Sequence, residues 1–194
     1  FRNLLRELSA QAAVTDWSAT SPGGDFDPQA LAAAGAIPSG AGFAGPLMAP
    51  NLIRAHRDEL VRASGGAAID QMVIDIVAAL FDQVLSDPKV PPEAARQIAR
   101  LQMPVLRVAL GDMTFFNSRK HPVRRFVNRV ASLASSFDGH QDGPGKEFLT
   151  HITALVNDIV DGDFDKMELY EAKLKELESF TETESEREAA EQAA

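Results

Sequence analysis

Apolar residues recur at helical spacing along most of the chain, and this pattern predicts one helix after another. In residues 69–84 they follow the i, i+3, i+4, i+7 spacing, while Asp70, Asp75 and Asp82 occupy the other face. No run of alternating β-branched and polar residues predicts a strand. We therefore expect an all-α fold, an irregular antiparallel helical bundle or HEAT-like helix stack of about six helices. The residues of this helix predicted to face the core are Ile69, Met72, Val73, Ile76, Val77, Leu80, Phe81 and Val84.

Local signals suggest where several helices begin, bend and end. Asn51 is a suitable N-cap for a helix that the Ser-Gly-Gly at 64–66 would end. Pro104 lies inside the helical pattern of residues 93–110, and proline there removes a hydrogen bond and kinks or splits the helix. Because the apolar pattern continues beyond it, we favour a kink. Phe115 and Phe116 are expected to fill the corner that follows.

The chain divides by composition into four parts. The stretch 15–50 is rich in Gly, Pro and Ala, has no sustained period, and is expected to be a flexible linker. In the alternative, one of its large apolar residues docks on the helical body: Trp17, Phe26, Phe43 or Met48. The predicted parts are an N-terminal helix (1–14), the linker (15–50), a helical domain (51–180) and an acidic tail (181–194) that is a solvated helix extension or disordered. Because the chain begins with Phe1, we expect an excerpt of a longer polypeptide.

Charge is distributed unevenly along an acidic chain. The net charge is −9, but residues 96–130 carry eight basic side chains and only one acidic side chain, Asp112. The acidic balance argues against nucleic-acid binding, which requires clustered Lys and Arg over a large surface. The residues predicted to form a partner-binding or anion-binding site are Arg119, Lys120, Arg124, Arg125 and Arg129.

Three interpretations of this cationic cluster remain open. The arginines fall in the first turns of a helix, where free backbone N–H groups and the helix dipole favour anions. They could form a solvated face that pairs with the chain's own acidic tail, bind an acidic protein partner, or bind a phosphate-bearing ligand such as a nucleotide. A cyclic dinucleotide is conceivable, although an Arg pair followed by Asp-x-Ser-x-x-Gly is missing.

Other chemistry has little support in the sequence. The chain has no cysteine, which suits a reducing compartment and leaves no thiol nucleophile. Asp161, Asp163 and Asp165 resemble the start of a calcium loop, but Lys166 and Ala172 occupy the positions where Gly and Glu are needed. The histidines show no metal-binding spacing, and His121 is expected to cap or pack at the corner. We expect no enzyme activity, no cofactor, no metal, no membrane segment and a cytoplasmic location. The histidines are His56, His121, His140 and His151.

The last helix carries a short coiled-coil pattern. Met167, Tyr170, Leu174 and Leu177 repeat with the 3, 4, 3 spacing of a helix–helix seam. Two heptads are too few to be stable alone, so packing on the helical body is the simpler interpretation. Homodimerisation through this helix is the alternative.

Three blocks of sequence carry a family resemblance: IDQMVIDIVAALFDQVLSD, RLQMPVLRVALGDMTFF and HPVRRFVNRVASLA. In this order they resemble a bacterial family of unknown function, number sixteen-thirty-one, whose members are large proteobacterial proteins sometimes labelled thymidine phosphorylase. Val123 stands where the family usually has Ala. The resemblance covers residues 69–180 and implies an all-helical intracellular domain without an established activity. We therefore expect a non-enzymatic protein-interaction or regulatory module of a larger cytoplasmic bacterial protein; the alternative is a nucleotide-sensing domain.

Overall fold

The computed structural model describes residues 1–14, 49–137, 142–162 and 166–193, which form helices and the turns between them, with no strand among them. The all-α prediction is confirmed. The helices are α1 (Arg2–Val14), α2 (Leu52–Ala55), α3 (Arg57–Ser64), α4 (Ala68–Leu85), α5 (Pro92–Arg100), α6 (Gln102–Gly111), α7 (Thr114–Asn117), α8 (Pro122–Ala134), α9 (Gly143–Asp161) and α10 (Met167–Ala193).

Helix α5 occupies the centre of the bundle. It packs against five other helices: α1, α4, α6, α8 and α9. Its inward face consists of small and branched side chains, among them Ala94, Ala95 and Ile98, each fully buried. Small residues allow neighbouring helices to approach closely, so one short helix can contact five others.

The predicted helix over 93–110 is divided into two. The break falls at Leu101, where the backbone N–H donates to Ile98 in a tighter turn, and α6 starts at Gln102. Pro104 therefore lies in the first turn of α6, where its missing N–H costs no intrahelical bond. The predicted kink at Pro104 is thus a division of the helix three residues earlier. The helix predicted from Asn51 is likewise interrupted, at His56.

The buried face of α4 differs from the predicted one. Ile69, Met72 and Ile76 were expected inside but are 50%, 50% and 43% exposed, whereas Asp82, expected outside, is 7% exposed. Helix α4 is apolar on most of its circumference, so periodicity alone cannot decide which side faces the core. The residues it does bury are Val73, Ile74, Val77, Ala78, Phe81, Asp82 and Leu85.

A buried polar network fixes this orientation; it consists of Asn51, Arg54, Asp82 and Gln102. The Asn51 amide donates to the Ala78 carbonyl at 2.7 Å and to Asp82 at 2.8 Å, and the Arg54 guanidinium donates to the same carboxylate. The Gln102 side chain accepts from the Leu52 N–H at 2.7 Å and donates to the Pro50 carbonyl at 2.8 Å. A buried carboxylate is tolerated here because each of its oxygens has a donor.

Helix α10 packs along α8. Tyr170, Leu174 and Leu177 are buried, and the Tyr170 ring lies 6.5 Å from that of Phe126. These side chains therefore pack on the chain's own body, and a dimer could use them only if α10 separated from α8. The acidic stretch after Phe180 continues the helix to Ala193, and its Arg187 pairs with Glu147 of α9 at 3.0 Å.

Several predicted features lie outside the described residues. They are the docking of Trp17, Phe26, Phe43 or Met48, the aspartates at 163 and 165, and His140. Ala49 and Pro50 were assigned to the linker, but Ala49 is buried and Pro50 accepts a hydrogen bond from Gln102. The helical body thus begins before Asn51.

Candidate functional site

The turn between α6 and α8 is a compact aromatic corner. Thr114 donates its N–H and its hydroxyl to the Asp112 carboxylate at 2.9 and 2.7 Å, which fixes the start of α7. Phe115 is buried, and its ring meets those of Phe116 and His121 edge-on at 5.0 and 5.2 Å. The prediction that the two phenylalanines fill this corner is confirmed. The corner holds the loop that carries Arg119 and Lys120.

His121 caps α8 with its side chain. Its Nδ1 accepts from the Val123 N–H at 3.3 Å, and Pro122 follows at the first helical position. Burial lowers the pKa of the imidazole, and the nearby Arg124 acts in the same direction, while Asp112 opposes both. The expected capping role is confirmed. Few backbone N–H groups remain free at this end of α8, because Pro122 has none and the Val123 N–H donates to His121.

Arg124 is engaged with the corner itself. Its guanidinium donates to the carbonyl oxygens of Phe115 and Phe116 at 3.3 and 3.4 Å. The guanidinium carbon also lies 5.9 Å from the centre of the Phe115 ring, which is within the range of a cation–π contact. Arg124 therefore closes α8 onto the preceding turn.

Arg125 is the one predicted cation that pairs with the acidic C-terminal part of the chain among the described residues. Its guanidinium lies 3.4 Å from Glu178 of α10, and both side chains are about half exposed. Exposed pairs of this kind contribute about 0–1 kcal/mol. Of the predicted cations, Arg125 therefore fits the interpretation that the arginines pair with the chain's own acidic C-terminal part, and this pair stabilises the fold only weakly.

The other three predicted cations are open to solvent. Arg119, Lys120 and Arg129 are exposed, and in the described part of the chain none has a side-chain hydrogen bond or ion pair. Arg129 follows Arg125 by four residues on α8, so the two project from the same side of the helix. We call Arg119, Lys120, Arg125 and Arg129 the cationic surface. It is the largest unbalanced concentration of charge of this sign in the sequence.

The remaining candidate groups have structural contacts. His56 lies 3.4 Å from Glu59, and the His151 ring stacks on Phe180 at 4.5 Å. Within the described ranges, no three His, Asp or Glu side chains converge as metal ligands would. A pocket of about 480 Å³ includes none of the predicted cations. It is lined by Phe1, Ala63, Ser64, Asp70, Arg107, Val108, Leu110, Gly111, Asp112 and Met167.

Sequence reasoning missed one surface feature, the exposed apolar side chains of α4. Ile69, Met72 and Ile76 are, with Met113, the large apolar side chains exposed among the described residues. A signal was present, because the apolar residues of α4 cover more than the single stripe that a surface helix needs. None of the described helices is both long and apolar enough to span a bilayer.

Fold and surface together define an all-helical domain with a packed core, a rigid aromatic corner and a cationic surface beside it. A family model described as the second domain of a protein of unknown function, DUF1631, matches residues 45–166, which include α2 to α9. The chain belongs to this family, as the resemblance implied. Comparisons with curated proteins and with solved structures find no match.

Proposed function

We propose that this chain is a non-enzymatic protein-interaction module of a larger cytoplasmic bacterial protein, and that it binds an acidic segment of a protein partner. The contact would be made by the cationic surface: Arg119, Lys120, Arg125 and Arg129. The observation that carries the proposal is the exposure of these four cations in a chain of net charge −9. The match to a second domain supports a place within a longer polypeptide.

The surroundings of the cations favour binding by electrostatic complementarity. Arg124 holds the turn in place through the carbonyls of Phe115 and Phe116, so the loop carrying Arg119 and Lys120 is attached to a rigid support. A preorganised charged surface loses less conformational entropy on binding than a flexible one. Complementary charge also speeds the encounter of two proteins.

An extended acidic segment fits this surface better than a small phosphate-bearing ligand. The cations are spread over a loop and two turns of α8, and the pocket described above does not contain them. The N-terminal N–H groups of α8, which would otherwise hold a phosphate, are reduced by Pro122 and by the His121 cap. Nucleotide sensing by these arginines is the alternative.

The test is a binding titration of a fluorescein-labelled polyglutamate peptide, followed by fluorescence anisotropy at physiological and raised salt. We expect Arg119→Glu with Arg129→Glu to weaken binding roughly tenfold or more, because each reversal replaces attraction by repulsion. The matched control is Arg6→Glu with Arg62→Glu, which changes the net charge equally at exposed arginines of α1 and α3. Equal weakening by both double variants would show a general charge effect and refute the proposed surface.

The nucleotide alternative is tested by thermal unfolding with nucleotides and cyclic dinucleotides. A ligand that binds only the folded state at ~100 times its Kd stabilises it by ~2.7 kcal/mol and raises Tm. A rise that is abolished by the Arg119/Arg129 reversal, without polyglutamate binding, would replace the acidic-partner proposal by the sensing one.

A further inference from the structure

The exposed side of α4 has the spacing of a helix–helix seam. Ile69, Met72, Ile76, Ala79 and Gln83 are all exposed and follow one another at intervals of 3, 4, 3 and 4 residues. This is the a and d pattern by which one helix packs against another. We call these five residues the α4 seam. It faces away from the core, whereas the comparable residues of α10 are buried against α8.

We propose that the α4 seam binds the α4 seam of a second copy of this chain, with the two helices antiparallel. In that arrangement Ile69 faces Ala79 of the other copy, and Met72 faces Ile76. Ile69 then meets the small Ala79, and the two central layers pair Met72 with Ile76, which have similar volumes. Gln83 lies beyond these four layers, opposite Gly65 of the other copy. Such self-complementarity is what a two-fold symmetric contact requires, since both copies use the same residues.

Charge at the seam permits this contact. Asp75 is the acidic residue beside the seam, and two copies would bring two such carboxylates towards the symmetry axis. Arg57 of α3 donates to both oxygens of Asp75 at 2.5 and 2.8 Å, so this carboxylate is paired. The same guanidinium lies 3.5 Å from the exposed Asp58, so the three side chains together keep one negative charge. Of the other two aspartates of α4, Asp82 is buried and Asp70 is only partly exposed, next to the pocket described above.

The size of the seam predicts a weak dimer. Three large side chains about half exposed give a patch near the low end of the about 300–600 Å² found for the largest apolar patch of a typical monomer. Two facing patches would bury about 600–800 Å², less than the about 1,200–2,000 Å² of a stable interface. We therefore expect association that depends on concentration. Salt should strengthen it, because it screens the repulsion between two chains of net charge −9.

The first test is sedimentation equilibrium of the full chain over a wide concentration range. We expect reversible dimers, with a Kd raised about tenfold or more by Met72→Glu, which would bury a charge in the seam. The matched control is Met113→Glu, because Met113 is 44% exposed but lies outside α4; it should leave the Kd unchanged. A chain that stays monomeric at all concentrations, or equal effects of the two variants, would overturn the proposal.

The second test checks orientation by disulfide formation, which is clean because the chain has no cysteine of its own. Met72→Cys and Ile76→Cys chains should cross-link when mixed and much more slowly when each is oxidised alone. Fast cross-linking of Met72→Cys chains with each other would indicate parallel helices and overturn the proposed arrangement. A monomeric chain in which Ile76→Glu changes the fluorescence of Trp17 would instead assign the seam to the chain's own residues 15–48.

Discussion

Gln102 offers the most direct test of how this fold is held together. It is fully buried in a bundle core, and its side chain joins two segments that are far apart in sequence. The Leu52 and Ile53 N–H groups, which begin α2 and have no intrahelical acceptor, donate to Gln102 Oε1 at 2.7 and 3.4 Å. Its Nε2 donates to the Pro50 carbonyl at 2.8 Å. Gln102→Met keeps the length and volume of the side chain and removes all three bonds.

The expected loss follows from the groups left without partners. An unsatisfied buried donor or acceptor costs about 1–3 kcal/mol, and here the Leu52 N–H and the Pro50 carbonyl both lose a short bond. The weaker Ile53 contact adds little. We therefore expect the free energy of unfolding to fall by about 2–6 kcal/mol, a large share of the about 5–15 kcal/mol that stabilises a typical domain.

The assay is urea unfolding followed by far-UV circular dichroism, with the loss calculated from the shift of the midpoint at constant m-value. Gln71→Met is the control, since Gln71 makes one exposed bond, to the Gly66 carbonyl at 3.0 Å. We expect the control to change stability by about 0.5 kcal/mol or less. A loss below about 1 kcal/mol for Gln102→Met, with an unchanged m-value, would refute the role assigned to the buried polar network.

Three further predictions concern the corner and the turns. Arg124→Met should lower the free energy of unfolding by about 1–2 kcal/mol, because the Phe115 and Phe116 carbonyls lose their donor; Arg125→Met, at an exposed pair, should cost less than about 1 kcal/mol. Burial lowers the pKa of His121 in the folded state below the ~6.5 of the unfolded chain. The stability that this histidine contributes to the fold is therefore complete above pH ~6.5 and is lost as the pH falls below that value. His121→Asn, which keeps a capping side chain, should flatten this part of the stability–pH curve; an unchanged slope would argue against it. Gly65→Ala should destabilise the fold by about 1 kcal/mol because φ is +105° there. Gly111→Ala, within a helix and with open space around the added methyl group, should stabilise it by up to about 1 kcal/mol in the same urea unfolding assay.

The correct predictions concern features whose determining chemistry lies within a few residues. The Asn51 side chain accepts from the Arg54 N–H as an N-cap, and Gly65 ends α3 in the left-handed conformation. The corner of Phe115 and Phe116 and the cap at His121 were likewise predicted, because each follows from neighbours in the chain. The five basic residues between Arg119 and Arg129 were selected from their charge alone. As a binding site they stay a prediction, and Arg124 makes its contacts within the fold instead.

The wrong orientation of α4 arose because the contacts that determine it are distant in sequence. Asp82 was expected on the solvated face, yet it is buried beside its partner Asn51, which is 31 residues away. The burial of Gln102, on which no prediction was made, likewise depends on Leu52, 50 residues away. The same rotation of α4 that brings Asp82 inward turns Ile69 and Met72 outward. Helical periodicity gives the relative positions of residues on one helix, but the neighbours decide which side faces the core.

The helices outside the matched family segment are part of the same core. Residues 45–166 end before α10, whose Tyr170 and Leu177 are fully buried on the α8 side of the bundle. Leu5 of α1 is also fully buried, against the α5 and α6 side. Without these two helices α5, α6 and α8 would expose apolar faces, so the structural unit extends beyond the matched segment in both directions.

Helix α10 also places Glu178 against Arg125, and an acidic partner that uses Arg125 must displace that carboxylate first.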